Sequence, residues 1–426
     1  MTDVSQPKKA RGRMLPAGIL ATALFALLAF APFASAASDP VASGSTTVTL
    51  NSGFTKYLKT FGIKTLKVSP AKLKGNKATF NVTGGTLDPT TGKGEVTLGG
   101  GLKFKAGKKS TTIKGLVVNT SKKSLTGKVG GKKVSIASVA GWSFTRNGFG
   151  VNLKIKKLKL TSAGANALNK ALGFSKGNPK PFLKNKLIAK AAAETQPSTV
   201  NVKPGNLMTL ATDAGTFKKL SDVKVAIPVS APTTEPSLGT FAFPITGGTV
   251  GPTGTAGVVQ SAGGLQLLQK LPLDESGTKF LETEINLGNV YADLAAKTLT
   301  VEVVAKSNAS KSLDLGNLGR SSIADITVSG VVADPTTRTV TVTNAPAVLQ
   351  PVSAEVLEGF VKVYQAYVEG GYLLEACTIS PGHCTDKTEK EGFEKAAKAF
   401  GEAAVKDDHI AAGNPLGTVS FTAQGE

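Results

Sequence analysis

The sequence is short of the residues most enzymes use. It has two histidines, two cysteines and one tryptophan in 426 residues. Both histidines, His383 and His409, lie near the C-terminus, as do both cysteines. No G-x-S-x-G elbow, H-E-x-x-H pair or P-loop occurs. Acidic residues are scarce in the first half: Ser38 to Val200 holds 4 Asp and Glu against 29 Lys and Arg. Paired-carboxylate chemistry therefore lacks material there. The second half, Asn201 to Glu426, reverses the balance, with 24 acidic and 17 basic residues. Its carboxylates form no recognised catalytic pattern and read as solvated surface charge. These shortages point away from an enzyme. After the N-terminus no long apolar run recurs, so no further membrane span is expected.

The N-terminus is distinctive. Lys8, Lys9, Arg11 and Arg13 precede an uncharged apolar run, and Ala34 and Ala36 occupy the two positions a signal peptidase reads. Residues 1–36 are predicted to be a signal peptide cleaved after Ala36. A retained anchor is the alternative, because the run is long enough to span a bilayer. The address is then secreted or cell-wall associated. In that setting Cys377 and Cys384 are expected to form one local disulfide. A structural metal site would need more ligands than the neighbouring His383 supplies. The excess of lysine in the first half could meet an anionic partner. Nucleic acid is not expected for an exported chain with so few interleaved aromatics, and an anionic cell-wall polymer suits the address. A soluble strand surface that happens to carry lysine is the plainer reading.

Alternating runs such as "TFNVT", "EVTL", "LTVEVV" and "RTVTVT", separated by Gly, Asp-Pro and Asn turns, predict many short strands. The fold class is mainly β: two tandem sandwich-like domains, or a barrel-like pair of sheets, each with short helices. In "VNLKIKKLKLT" the apolar phase slips at Lys156-Lys157, which predicts a β-bulge that keeps Leu158 and Leu160 inward.

The two halves repeat one another. Gly84-Gly85 and Gly100-Gly101-Leu102 recur as Gly247-Gly248 and Gly263-Gly264-Leu265, all at a spacing of 163. "AGANALNKALG" at Ala163 recurs loosely as "VSAEVLEGFV" at Val352, so the second copy carries insertions. The expected domains are 45–205, basic, and 206–426. The second contains a helical, disulfide-closed hairpin at about 352–413, and "LGTVSFTAQ" then closes its sheet.

Four segments in order, "TTVTLNSGFTKYLKTFG", "FNVTGGTLDPTTGKGEVTLGGGLKF", "TTIKGLVVNTSKKSLTGKV" and "LTSAGANALNKALG", resemble the HtaA domain of exported actinobacterial haem-uptake proteins. The likeness covers most of Ser45 to Phe174 and recurs more faintly from Met208 to Tyr364. It implies a mostly β fold with two short helices and haem held by a tyrosine of the first helix, supported by a histidine. Tyr57 stands at that tyrosine's position. Two departures follow: the first domain has no histidine, and Lys219 stands in the second domain where Tyr57 stands in the first. Tyr57 also fits a bland description. Phe54, Tyr57, Leu58 and Phe61 are spaced as the apolar stripe of a helix packed on a sheet.

Overall fold

The computed structural model describes residues 38–174, 179–379 and 387–426. The predicted signal segment, His383 and Cys384 lie outside them.

The first sheet closes on itself. The strand Lys77–Leu87 starts an antiparallel meander through Gly94–Ala106, Lys109–Asn119, Ser124–Val129, Lys132–Asn147 and Gly150–Leu160. Leu187–Pro197 follows a helix and pairs with Asp39–Leu50, which pairs in turn with Lys77–Leu87. Pairing of Lys77–Leu87 with Gly94–Ala106 completes the ring. Of the two arrangements expected, sandwich-like domains or a barrel-like pair of sheets, these strands form the closed barrel. Closure leaves no long unpaired edge among these strands, the problem a sandwich must solve by other means. The predicted slip in Gly150–Leu160 is a bulge: Ala189 pairs with Leu158 but Ala191 pairs with Ile155, and both lysines between stay exposed.

The second sheet repeats the order. Leu207–Thr212, Thr240–Val250, Val258–Ser261, Phe280–Asp293, Thr298–Ser307, Gly316–Ile326, Thr339–Leu349 and Pro415–Gln424 pair in turn, and the last returns to the first. The matched glycines have a steric reason. Gly85 and Gly248 adopt φ of +129° and +107°, and a Cβ on either would stand about 2 Å from a carbonyl oxygen of the paired strand. Gly100 and Gly263 sit where one strand changes partner. A Cβ there would meet the backbone nitrogen of Ala71 at 2.5 Å or of Thr233 at 2.7 Å. Only glycine permits these approaches.

Each barrel carries helices at one end. In the first, α1 (Ser52–Thr60) starts at Asn51, whose side chain accepts from the Phe54 N–H at 2.9 Å. Helix α2 (Ser162–Leu172) starts at Thr161 and stops at Gly173 in the left-handed conformation. In the second, α3 (Ala214–Asp222) starts at Asp213, which accepts from the Thr216 N–H at 2.9 Å. Helix α4 (Pro351–Ile379) takes the place of α2 in the chain order but runs far longer, and α5 (Lys387–Ala404) packs back along it. Only the start of α4 is buried, through Ala354, Leu357, Phe360, Val361 and Val363. Cys377 lies in its last turns.

A buried ion pair joins the barrels. Arg338, beside the last strands of the second, donates to the Asp39 carboxylate at 2.6 Å, and both side chains are almost wholly buried. Arg338 also donates to the backbone oxygens of Phe149 and Glu426. Asp39 accepts from the backbone and side-chain N–H groups of Asn201, each at 3.2 Å. Burial pushes the Asp39 carboxyl above the usual carboxylate range, while the hydrogen bond and charge of Arg338 pull it back. Phe149, from a turn of the first barrel, is buried in the core of the second.

Candidate functional site

Helix α1 lies over one end of the first barrel because its apolar stripe must be covered. Phe54 and Leu58 are buried, whereas Tyr57 and Phe61 remain half-buried at the edge. The Tyr57 hydroxyl donates to the Lys180 carbonyl at 3.3 Å, a long bond. Its ring meets Phe61 edge-on at 5.2 Å, and Phe61 meets Phe174 at 6.1 Å. The Lys186 ammonium stands 5.2 Å from the centre of the Tyr57 ring. Lys56 and Lys59 on α1, with Lys180, Lys184 and Lys186, make this rim cationic. Among the described residues, no lysine of the first barrel forms an ion pair.

Behind that rim the barrel is filled. Phe182, 1% exposed, packs edge-on against Phe54 at 6.2 Å and Phe104 at 5.5 Å. Asn169 of α2 clamps the Phe182 backbone. Its amide nitrogen donates to the Phe182 carbonyl at 2.8 Å, and its oxygen accepts from the Phe182 N–H at 3.1 Å. A cavity of about 60 Å³ is left beside these rings.

The second barrel is furnished differently at the matching positions. Lys219, on α3, donates from its ammonium to the His409 carbonyl at 2.7 Å. The His409 ring Nδ1 meets a Glu358 carboxylate oxygen at 2.7 Å, and the other oxygen accepts from the Ile410 N–H. Thr216 stands where Phe54 stands, and Leu267 where Phe104 stands. A cavity of about 140 Å³ opens between α3, the start of α4 and the barrel. Leu210, Phe217, Leu267, Ile285, Leu287 and Val303 form much of its wall, with Leu318 and Val352 at its lip. The described lining residues include no charged side chain.

Tyr57 is therefore a rim residue that shares its helix stripe with the core but is not part of it. Among the described residues the one histidine, His409, stands with Lys219 and Glu358 and not with Tyr57, and His383 lies outside them. The proposed Cys377–Cys384 bridge has one partner outside the described residues. Among the described residues, no cluster of three His, Cys, Asp or Glu is placed to hold a metal ion. No described helix is long and apolar enough to cross a membrane. Sequence reasoning missed Phe182, Asn169 and the second cavity. The one local signal was Asn169, a polar residue on the apolar face of α2.

The fold defines a class: paired, closed antiparallel barrels, each covered at one end by helices. Residues 212–370 match the HtaA family model. The match falls on the second repeat, where the fainter likeness was expected, and not on Ser45 to Phe174, where the stronger was expected. The crystal structure of the C-terminal domain of HtaA from Corynebacterium glutamicum is similar over 37% of this chain and 98% of its own, at 13% identity and a TM-score of 0.29. No curated protein matches the chain.

Proposed function

We propose that this chain is an exported, non-catalytic protein of the cell envelope that binds or relays haem through its first barrel, with Tyr57 as the iron ligand. The observation that carries this reading is the rim itself. The chain's only first-half tyrosine is half-buried, its hydroxyl is held by one long hydrogen bond, and aromatic rings and lysines surround it. Ferric haem accepts a phenolate oxygen as an axial ligand. Phe61 and Phe174 offer an apolar wall for a macrocycle, and Lys56, Lys59, Lys180 and Lys184 offer partners for its two carboxylates. The interior cavity of about 60 Å³ is too small for a porphyrin, so the group would sit outside the barrel, at the rim. The first half of the chain contains no histidine to supply the imidazole that the family resemblance implies. Tyr57 would act without it.

The test is a hemin titration of Ser38–Glu426, wild type beside Tyr57→Phe, followed by absorbance. Tyr57 as ligand predicts a saturable one-to-one complex that the substitution abolishes. A spectrum indifferent to Tyr57 would sink the proposal.

A second reading rests on the unpaired lysines of the first barrel. In it the chain is an interaction protein whose basic face engages an anionic cell-wall polymer. Retention on wall material would then fall steeply with salt and would survive Tyr57→Phe.

A further inference from the structure

The two barrels differ most where their helices cover them. Three rings, Phe54, Phe104 and Phe182, fill that end of the first barrel. In the second, Thr216 and Leu267 replace two of them, and the space they leave is a cavity of about 140 Å³. Close packing is the rule in protein interiors, and an unfilled apolar volume of this size costs stability. We propose that the second barrel binds the alkyl chain of a free, single-chain amphiphile such as a fatty acid, with its head group in water between α3 and the start of α4.

The wall chemistry selects this ligand. The lining is Leu, Ile, Val and Phe with a few hydroxyls, and no described lining residue is charged. Two of those hydroxyls are already committed: Thr212 donates to the Gly239 carbonyl at 2.8 Å, and Thr216 to the Pro415 carbonyl at 2.7 Å. A dry apolar cavity near this volume takes a benzene-sized guest, about six carbons. Pockets for larger ligands run from about 300 Å³ upward, so a porphyrin or a two-chain lipid does not enter, whereas a slim chain does. The lip agrees. Leu318 and Val352 are 46% and 69% exposed, apolar area that the emerging part of a chain would cover. Ser321 and Ser353 also line the cavity, where they can meet a polar head. The inference is independent of haem binding at Tyr57.

The experiment is a calorimetric titration of Ser38–Glu426 with sodium decanoate below its micelle concentration. One saturable site is expected, unchanged in Tyr57→Phe. Leu267→Phe and Thr216→Phe, which rebuild the first barrel's rings in the second, should each weaken binding at least tenfold while circular dichroism stays native. Should either variant misfold, a second measurement decides. The ¹³C-labelled terminal methyl of decanoate should show nuclear Overhauser contacts to Phe217 and Leu287, and contacts to first-barrel residues would overturn the proposal. So would the absence of saturable binding, or equal affinity in both folded variants. One-for-one displacement of decanoate by hemin in Tyr57→Phe would make the cavity a porphyrin site and overturn it too. Retention on phosphatidylcholine vesicles without decanoate binding would replace the free ligand with a membrane.

Discussion

The first barrel is the more closely filled and is basic, the second is the more open and is acidic, yet their strands follow one order. What they share is set by backbone contact: the glycines at 85 and 248, and at 100 and 263, permit approaches that any side chain would block. What they do not share lies in the side chains at the covered end and in the longer α4 with α5 upon it. Phe54 and Thr216 follow matching helix caps, but one fills its barrel and the other leaves room. A barrel of this kind keeps its shape through its strand pairing, so its covered end is free to become either core or pocket. The rim of the first and the interior of the second are the two places where this freedom has been used.

The comparison breaks most sharply at Phe182. Phe182→Ala should cost about 3–5 kcal/mol, read from urea unfolding, and should open a second decanoate site in the first barrel. A cost under about 1 kcal/mol with unchanged stoichiometry would mean that the plug is not what separates the barrels. Next in size is the seam. Asp39→Asn removes the charge facing buried Arg338 and should cost about 2–3 kcal/mol, seen as a lower denaturation midpoint and faster proteolysis near residues 198–199. No change would show that the barrels are held together by other contacts. Smaller and matched are the helix caps. Asn51→Ala and Asp213→Ala should each cost about 1 kcal/mol, and unequal costs would show that α1 and α3 are not equivalent supports.

The smallest effect is a titration. The Thr278 hydroxyl and the backbone N–H groups of Lys279 and Thr278 pull the Asp274 carboxyl down to about 2. Its folded value lies below its ordinary one of 3.8. Its contribution to the turn is therefore present above the ordinary value and is lost as pH falls toward 2. In the first barrel, burial pushes Asp88 up, but hydrogen bonds from Thr90 and Thr91 outweigh it and hold its carboxyl below the usual range. Carboxyl ¹³C titration should find both still ionised where a free aspartate is half protonated. A midpoint near 4 for Asp274 would remove this likeness between the barrels.

Much of this protein was legible before its structure, for reasons that are local. The helix that carries Tyr57 announces itself because Phe54, Tyr57, Leu58 and Phe61 repeat as one apolar stripe within a few turns. The slip at Lys156-Lys157 announces a bulge because strand faces alternate residue by residue. The paired glycines announce a repeat because a forbidden Cβ leaves a mark at a single position. Tyr57 could be singled out from sequence, but its place at the rim depends on Phe174 and Lys180, which are far along the chain. Only the tertiary structure decided that the sheets close into barrels, that Phe182 enters one of them, and that Asp39 meets Arg338 across most of the sequence. These are meetings of distant segments. Their energies come from volume filled and charge buried, and neither quantity exists until the chain has folded.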